Sequence, residues 1–360
     1  MKIVYGRDQK IKGSLTGNFD KDYAFLEAVF ERSGDIVKNP FCIADFCRAA
    51  AIYVDGMTDA DMVEDFVIRP LLKQKWEEKI SGRELLSYIE NHVMETVDWK
   101  EDETFEDILT DILSGNTLLL LEGCKKAIIL STKKYPSRGV GETQQEMVIR
   151  GPKDSFTENM RINTALIRRR IRDPRLKMEH TMTGERSKTD LAIIYMEDLV
   201  RPELLKKISF DGIFDGGMVE QLLEENAWSP FPQFQHTERP DKAASGLLEG
   251  RIVLAVDNSP GVLILPATYQ MFFQAGDDYY TRFEVASFAR VLRFAASLFA
   301  IGFPGLYVAI AAFHTEMLPA SFLLSVAVAR TGIVIPVALE VLLMEFQFEL
   351  LKEAGIHLPG

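Results

Sequence analysis

The chain has 360 residues, a formal net charge of -12 and 47% hydrophobic content, so it can bury the core of one or two domains and is not a disordered polymer. Its acidity argues against a nucleic-acid binder, which needs a basic domain. Cys42, Cys47 and Cys124 are an odd number at no metal-ligand spacing and read as reduced thiols of a cytosolic compartment.

Residues 1–19 contain no apolar stretch long enough for a targeting signal and read as an N-terminal tail. A first α/β subdomain is predicted over 20–150. Within it, AAAIYVDGMTDADMVEDFVIRPLL (49–72) reads as strand, acidic turn and helix, with Thr58 or Asp59 as the helix cap. GNTLLLLEGCKKAIILS (115–131) reads as a β-hairpin with Glu122 at its turn. The polar loop KYPSRGVGETQQE (134–146) lacks the Lys-Ser/Thr of a phosphate-binding loop.

RGPKDSFTENMRINTALIRRRIRDP (150–174) opens a second α/β subdomain, 151–280, with a helix that Asp154 or Ser155 can cap. Ile162, Leu166, Ile167 and Ile171 form its core stripe, which leaves Arg161, Arg168, Arg169, Arg170 and Arg172 mostly on the remaining surface. Three readings of these arginines stay open: phosphate binding, ion pairs with an acidic partner or the neighbouring lobe, and a solvated face. Ion pairing suits the Arg fork and the abundance of acids. Further on, LAIIYMEDLVRPELLKKI (191–208) repeats the strand, acidic turn and helix, with Asp198 as a cap, and GRIVLAVDNSPGVLILP (250–266) repeats the hairpin, with Asp257 at the turn. The fold class is therefore α/β, two related subdomains with a cleft between them.

From 281 onward the chemistry changes to an α-helical membrane domain. FAASLFAIGFPGLYVAIAAF (294–313) is 20 residues without a charge, and at about 1.5 Å per residue it matches a hydrocarbon core of about 30 Å. A spanning helix is predicted over about 290–313. Arg282, Arg290 and Arg293 precede it, with Tyr279 and Tyr280 as interfacial aromatics, so the N-terminal side is expected in the cytoplasm. The next stretch is apolar but broken by Arg330, Gly332, Pro336, Glu340 and Glu345, and reads as amphipathic or re-entrant helices over about 318–353. Glu316, Arg330, Glu340 and Glu345 are the membrane-edge charges most suited to a gating role.

The five histidines are scattered, and no GxSxG, HExxH, Walker loop, CxxC or dinucleotide-binding glycine signature is present. An enzyme is disfavoured, and neither a cofactor nor a metal is expected.

RGPKDSFTENMRINTALIRRRIRDPRLK (150–177), HTERPDKAASGLLEGRIVLAVDNSPGVLILPATYQMFFQAGDDYYTRF (236–283) and HTEMLPASFLLSVAVAR (314–330) resemble the A subunits of GerA-type spore germination receptors. The resemblance implies an integral protein of the spore inner membrane, its N-terminal domain on the cytoplasmic side. It also implies a permease-like B subunit, a lipoprotein C subunit and further copies of the chain as partners. In such receptors nutrient sensing is coupled to ion release, and the A subunits are thought to form a channel. The Arg-rich segment is a hallmark of the family, which favours an intersubunit role. Two departures stand out. Family sequences continue into further spanning helices after the point corresponding to Leu358-Pro359-Gly360, so the chain is expected to be truncated, and an acidic residue of the family's turn is missing from Arg330-Thr331-Gly332-Ile333-Val334-Ile335-Pro336. Residues alone also leave open a solute-transporter component with a two-lobed ligand-binding domain, or a membrane scaffold that conducts nothing.

Overall fold

Two short hairpins of almost wholly apolar strands dictate the centre of the N-terminal part. In β4 (Thr117–Leu121), β5 (Ala127–Leu130), β9 (Ile252–Val256) and β10 (Val262–Leu265) every position is buried, so each hairpin needs a layer on both faces. The computed structural model describes residues 11, 13–43, 47–73, 86, 98–135, 146, 151–183, 188–205, 228–229, 231–332 and 335–357. These fall into two units, Met1–Met271 and Phe272–Gly360. The loop residues 136–145 and His92 lie outside the described residues, as does the end of the predicted 191–208 helix.

The first unit contains two five-stranded sheets of identical topology. One runs β1 (Ile36–Ile43), β2 (Cys47–Val54), β4, β5, β3 (Trp99–Asp102); the other runs β6 (Leu176–Thr183), β7 (Thr189–Met196), β9, β10, β8 (Gln235–Thr237). Among the described residues, every ladder between these strands is antiparallel. In the first subdomain α1 (Phe19–Val29) and α4 (Phe105–Leu113) cover one face through Leu26, Ile108 and Ile112. The other face carries Val67 and Leu71, from the π-helical turn Glu64–Ile68 and α3 (Arg69–Lys73) that follow α2 (Ala60–Val63). In the second, α5 (Met160–Arg170) and α7 (Pro240–Leu248) cover one face, and Leu204 and Leu205 of α6 (Pro202–Leu205) pack on the other.

Three local expectations need correction. The tail is part of the first subdomain from Gly13 onward: Leu15 is buried, its N–H donates to Glu103 O at 2.9 Å, and Gly13 O accepts from Phe105 N at 3.0 Å. Asp59 does cap α2, accepting from Met62 N, but Asp198 caps nothing; it faces Arg175 at 3.1 Å while α6 starts at Pro202. The basic helix starts at Met160, capped by Asn159, whose Oδ1 accepts from Arg161 N and Ile162 N. Asp154 instead accepts from Arg170, and Ser155 Oγ donates to Glu238 O.

In the second unit α8 (Phe283–Val308) continues through a π-helical turn to Phe313, a helical run of 31 residues whose most apolar 18-residue stretch has a mean hydropathy of 1.9 and is uncovered. After a 3-10 turn, Thr315–Met317, come α9 (Ala320–Ala329) and α10 (Val337–His357). α10 runs unbroken for 21 residues, and Leu339, Leu342, Met344, Phe348 and Leu351 expose apolar surface on several sides rather than along one stripe. Amphipathic or re-entrant helices were expected over about 318–353; the structure has a short one, α9, and a long one, α10, there.

Each repeated hairpin opens on a glycine with positive φ, Gly115 at +92° and Gly250 at +82°. A Cβ at Gly250 would stand 2.7 Å from Leu199 O, and one at Gly115 would stand 2.9 Å from Met57 O. Gly250→Ala should therefore lower stability by about 1–3 kcal/mol, read as the midpoint of chemical denaturation; an unchanged midpoint would show that the turn yields.

Candidate functional site

The seam between the two sheets is where charge, burial and backbone geometry converge. Arg168, near the end of α5, is buried to 1% side-chain exposure beside Asp35 at 3%. Its Nε donates to Asp35 Oδ2 at 2.7 Å and its Nη2 to Oδ1 at 2.9 Å. The remaining donors reach Asp173 O at 3.2 Å and Leu176 O at 3.1 Å. A desolvated guanidinium survives only when its charge is paired and its donors are met, and here the charge is paired and four of the five N–H groups have acceptors.

Around this pair the subdomains join through backbone. Gly34 N donates to Met178 O at 2.9 Å and Met178 N to Arg32 O at 3.2 Å, a parallel bridge from the start of β6 to the turn after α1. Lys177, also buried, donates to Val29 O at 2.8 Å in the last turn of α1, where the helix dipole favours a cation, and stands 3.7 Å from Glu197. Burial pushes its ammonium below the ordinary lysine value, against the opposing pull of Glu197. Above it, Tyr195 Oη donates to Glu179 Oε1 at 2.5 Å; burial, then that bond, pushes the phenol up to about 12.

α5 approaches the first subdomain closely because Gly56, with φ +76°, lacks a side chain. A Cβ there would lie 3.2 Å from both Ala165 Cβ and Arg161 O. Ala165 accordingly packs in the core of the first subdomain although it belongs to a helix of the second. Arg161 stands 3.5 Å from Asp55 in an exposed pair of little energetic weight. Arg169 stacks over the Tyr135 ring at 5.1 Å, and Tyr135 Oη and Arg172 Nη1 both donate to Ser114, at its O and Oγ. Arg170 is the exception, held within its own subdomain by Leu166 O and both oxygens of Asp154.

The five arginines thus do not form one exposed face. Arg172 lies past the extended C-cap Ile171, Arg168 is interior, and four of the five meet the first subdomain. Sequence reasoning missed Asp35 and Lys177, because isolated charges next to strands read as solvated. It also missed a repeated cap motif that was legible: Leu15-Thr16-Gly17-Asn18 with Asp22, and Phe156-Thr157-Glu158-Asn159 with Asn163. In both copies the buried Asp22 or Asn163 accepts from the threonine backbone N–H, at 3.1 and 2.8 Å, and the asparagine caps the helix.

Of the membrane-edge charges, Arg330 and Glu340 are brought together at 3.2 Å, spanning the turn between α9 and α10, and Arg330 also donates to Ile335 O at 3.3 Å. Glu316, in the 3-10 turn, and Glu345, on α10, are exposed and take no part in that pair. Among the described residues no group of His, Cys, Asp and Glu is placed to hold a metal ion.

Removing either partner of the Arg168–Asp35 pair should cost about 3–5 kcal/mol, because the other is left buried and uncompensated. Arg168→Met combined with Asp35→Leu should recover most of that loss in a denaturation cycle. Additive losses would show that the two charges act independently.

The two-sheet unit has a solved counterpart. The crystal structure of the N-terminal domain of the A subunit of the Bacillus megaterium spore germinant receptor GerK3 is 28% identical, covers 72% of this chain and 99% of that one, and superposes with a TM-score of 0.57. Spore germination protein KA of Bacillus subtilis (strain 168) is 35% identical over 354 residues, 96% of this chain and 64% of its own. Spore germination protein A1 of the same organism is 36% identical over 337 residues, 92% of this chain and 68% of its own. This chain therefore spans about two thirds of the length of these relatives. The family model described as Bacillus/Clostridium GerA spore germination protein matches residues 24–360, and the chain belongs to that family.

Proposed function

We propose that the chain is the A subunit of a spore nutrient germinant receptor and passes a nutrient signal to ion release in the membrane, without covalent chemistry. The observation that carries this reading is one chain that joins a two-subdomain unit like that of GerK3 to a 31-residue helix with a 20-residue uncharged run, 294–313. The partners are a permease-like B subunit, a lipoprotein C subunit and further copies of the chain around a shared channel. The site of action is the spore inner membrane. Arg282, Arg290 and Arg293, preceding the uncharged run, support a cytoplasmic position for the N-terminal unit.

In this mechanism the soluble unit works as a lever whose stiffness comes from the Arg168 seam. A hinge with a buried, fully paired ion pair has one favoured setting, so displacement of one subdomain is passed to the other. The Arg330–Glu340 pair fixes the turn between α9 and α10, and at the bilayer it neutralises two charges that would each cost about 2.5–3.5 kcal/mol alone. Reorientation of that turn is the step that opens the path for ions.

The test is nutrient-triggered ion release from spores whose only receptor of this type carries the change within the full-length protein. Arg330→Glu should slow release at least tenfold, and combining it with Glu340→Arg should restore a substantial part. Full release in the single variant would remove the turn from the mechanism. Unchanged release after deletion of the whole gene, across amino-acid and sugar nutrients, would overturn the receptor reading itself.

A further inference from the structure

The helix α8 begins at Phe283, but its uncharged run begins only at Phe294. Arg290 and Arg293, between these points, are strapped to the segment before the helix. Arg293 donates to Asp278 from Nη1 at 2.8 Å and from Nη2 at 2.8 Å, and its Nη1 also reaches Phe273 O at 2.7 Å. Arg290 donates from Nε to the same carboxylate at 3.1 Å and lies 5.6 Å over the Tyr279 ring. The Phe273 ring meets Phe294 edge-on at 5.6 Å. Ala275 N is a further donor to Asp278, whose side chain is 3% exposed. Arg293, opposed by burial and helped by Arg290, holds that carboxyl down to about 2, so the strap stays ionised at any pH well above that value and opens only as pH falls towards it.

This geometry ties residues 273–279 to the level of Arg290–Phe294, which is ten residues (283 to 293) or about 15 Å beyond the helix start. If lipid began at Phe283, Asp278, Arg290 and Arg293 would sit about 10–15 Å inside the hydrocarbon, each charge costing about 2.5–3.5 kcal/mol. If lipid begins at Phe294, the 20 residues to Phe313 span about 30 Å, the thickness of the core, and all three charges stay outside it. The exposed rings of Tyr279 and Tyr280 then lie in the headgroup layer, where amphipathic aromatics are favoured.

We propose that residues 272–293 form a membrane-interface collar. It binds the headgroup layer, sets the hydrocarbon boundary at Arg293–Phe294 and leaves the first turns of α8 outside the hydrocarbon on the N-terminal side of the span. Asp278 is its positioning residue, since it holds both arginines at one level. The inference rests on α8 crossing the membrane as proposed above.

Single cysteines introduced into a Cys42→Ser parent of the full chain, reconstituted in phosphatidylcholine nanodiscs, test both claims with a water-soluble maleimide. Cys47 and Cys124 are buried, so the parent supplies the background. Val285→Cys and Val291→Cys should label at least tenfold faster than Leu298→Cys and Leu306→Cys. If all four are protected, the span stands and the collar is wrong; if all four label equally fast, α8 is not in lipid and the membrane reading falls with it. In an Asp278→Asn background the Val291→Cys rate should change severalfold, since the arginines lose their shared anchor. An unchanged rate there would overturn the strap as the depth-setting element.

Discussion

Arg168 and Asp35 are 133 positions apart in sequence, yet their side chains share an interior from which water is excluded. The pair is stable only while four acceptor contacts are met at once, two from Asp35 and one each from the carbonyls of Asp173 and Leu176. Apolar surfaces can slide over one another at small cost, whereas a buried guanidinium tolerates little displacement. The mutual setting of the two sheets is therefore fixed by polar geometry, with the Met178–Gly34 bridge and Lys177 on the end of α1 following from it.

This seam belongs to one copy of the repeat only. Aligning the shared cap motifs, Thr16 with Thr157, sets Glu27 of α1 against Arg168 of α5, and Glu27 is exposed. Topology, caps and hairpins are held in common because each subdomain must bury its own sheet. The arginine is an asymmetric addition, and it turns two equivalent bodies into one unit with a defined front and back. Gly56 is its counterpart on the other side, since a side chain there would collide with the α5 backbone and Ala165.

What could be read from residues alone follows the same division. Both hairpins were legible because strands buried on two faces leave continuous apolar runs flanked by glycine and an acidic turn. The helical stripe of Leu166, Ile167 and Ile171 was legible from its spacing. The burial of Arg168 was not, because nothing local distinguishes it from Arg169, its exposed neighbour, and the deciding partner lies in another subdomain. The helix start was misplaced for a related reason. Asp154 and Asn159 are equally good caps in isolation, and Asp154 is taken by Arg170. Glu146 shows a similar long reach, accepting from Thr237 Oγ1 at 2.5 Å and from Lys242 at 2.6 Å.

The two units answer to different solvents. In the first, large aliphatic side chains are almost all interior, and polar groups that go inside, such as Asp22, Asn163 and Arg168, arrive with partners. In the second, Phe288, Leu298, Ile301, Phe313, Leu324 and Phe348 are exposed, and Ala286 is the one buried residue of α8. One chain under one set of sterics would not leave such surface to water in one half while hiding it in the other. The charges reverse in the same sense: Asp278 takes two arginines and Arg330 takes Glu340, pairings of small value at an aqueous surface and of much larger value at the edge of hydrocarbon. Since α9 has ten residues, about 15 Å of helix, it is too short to cross a hydrocarbon core of about 30 Å on its own, unlike the uncharged run of α8.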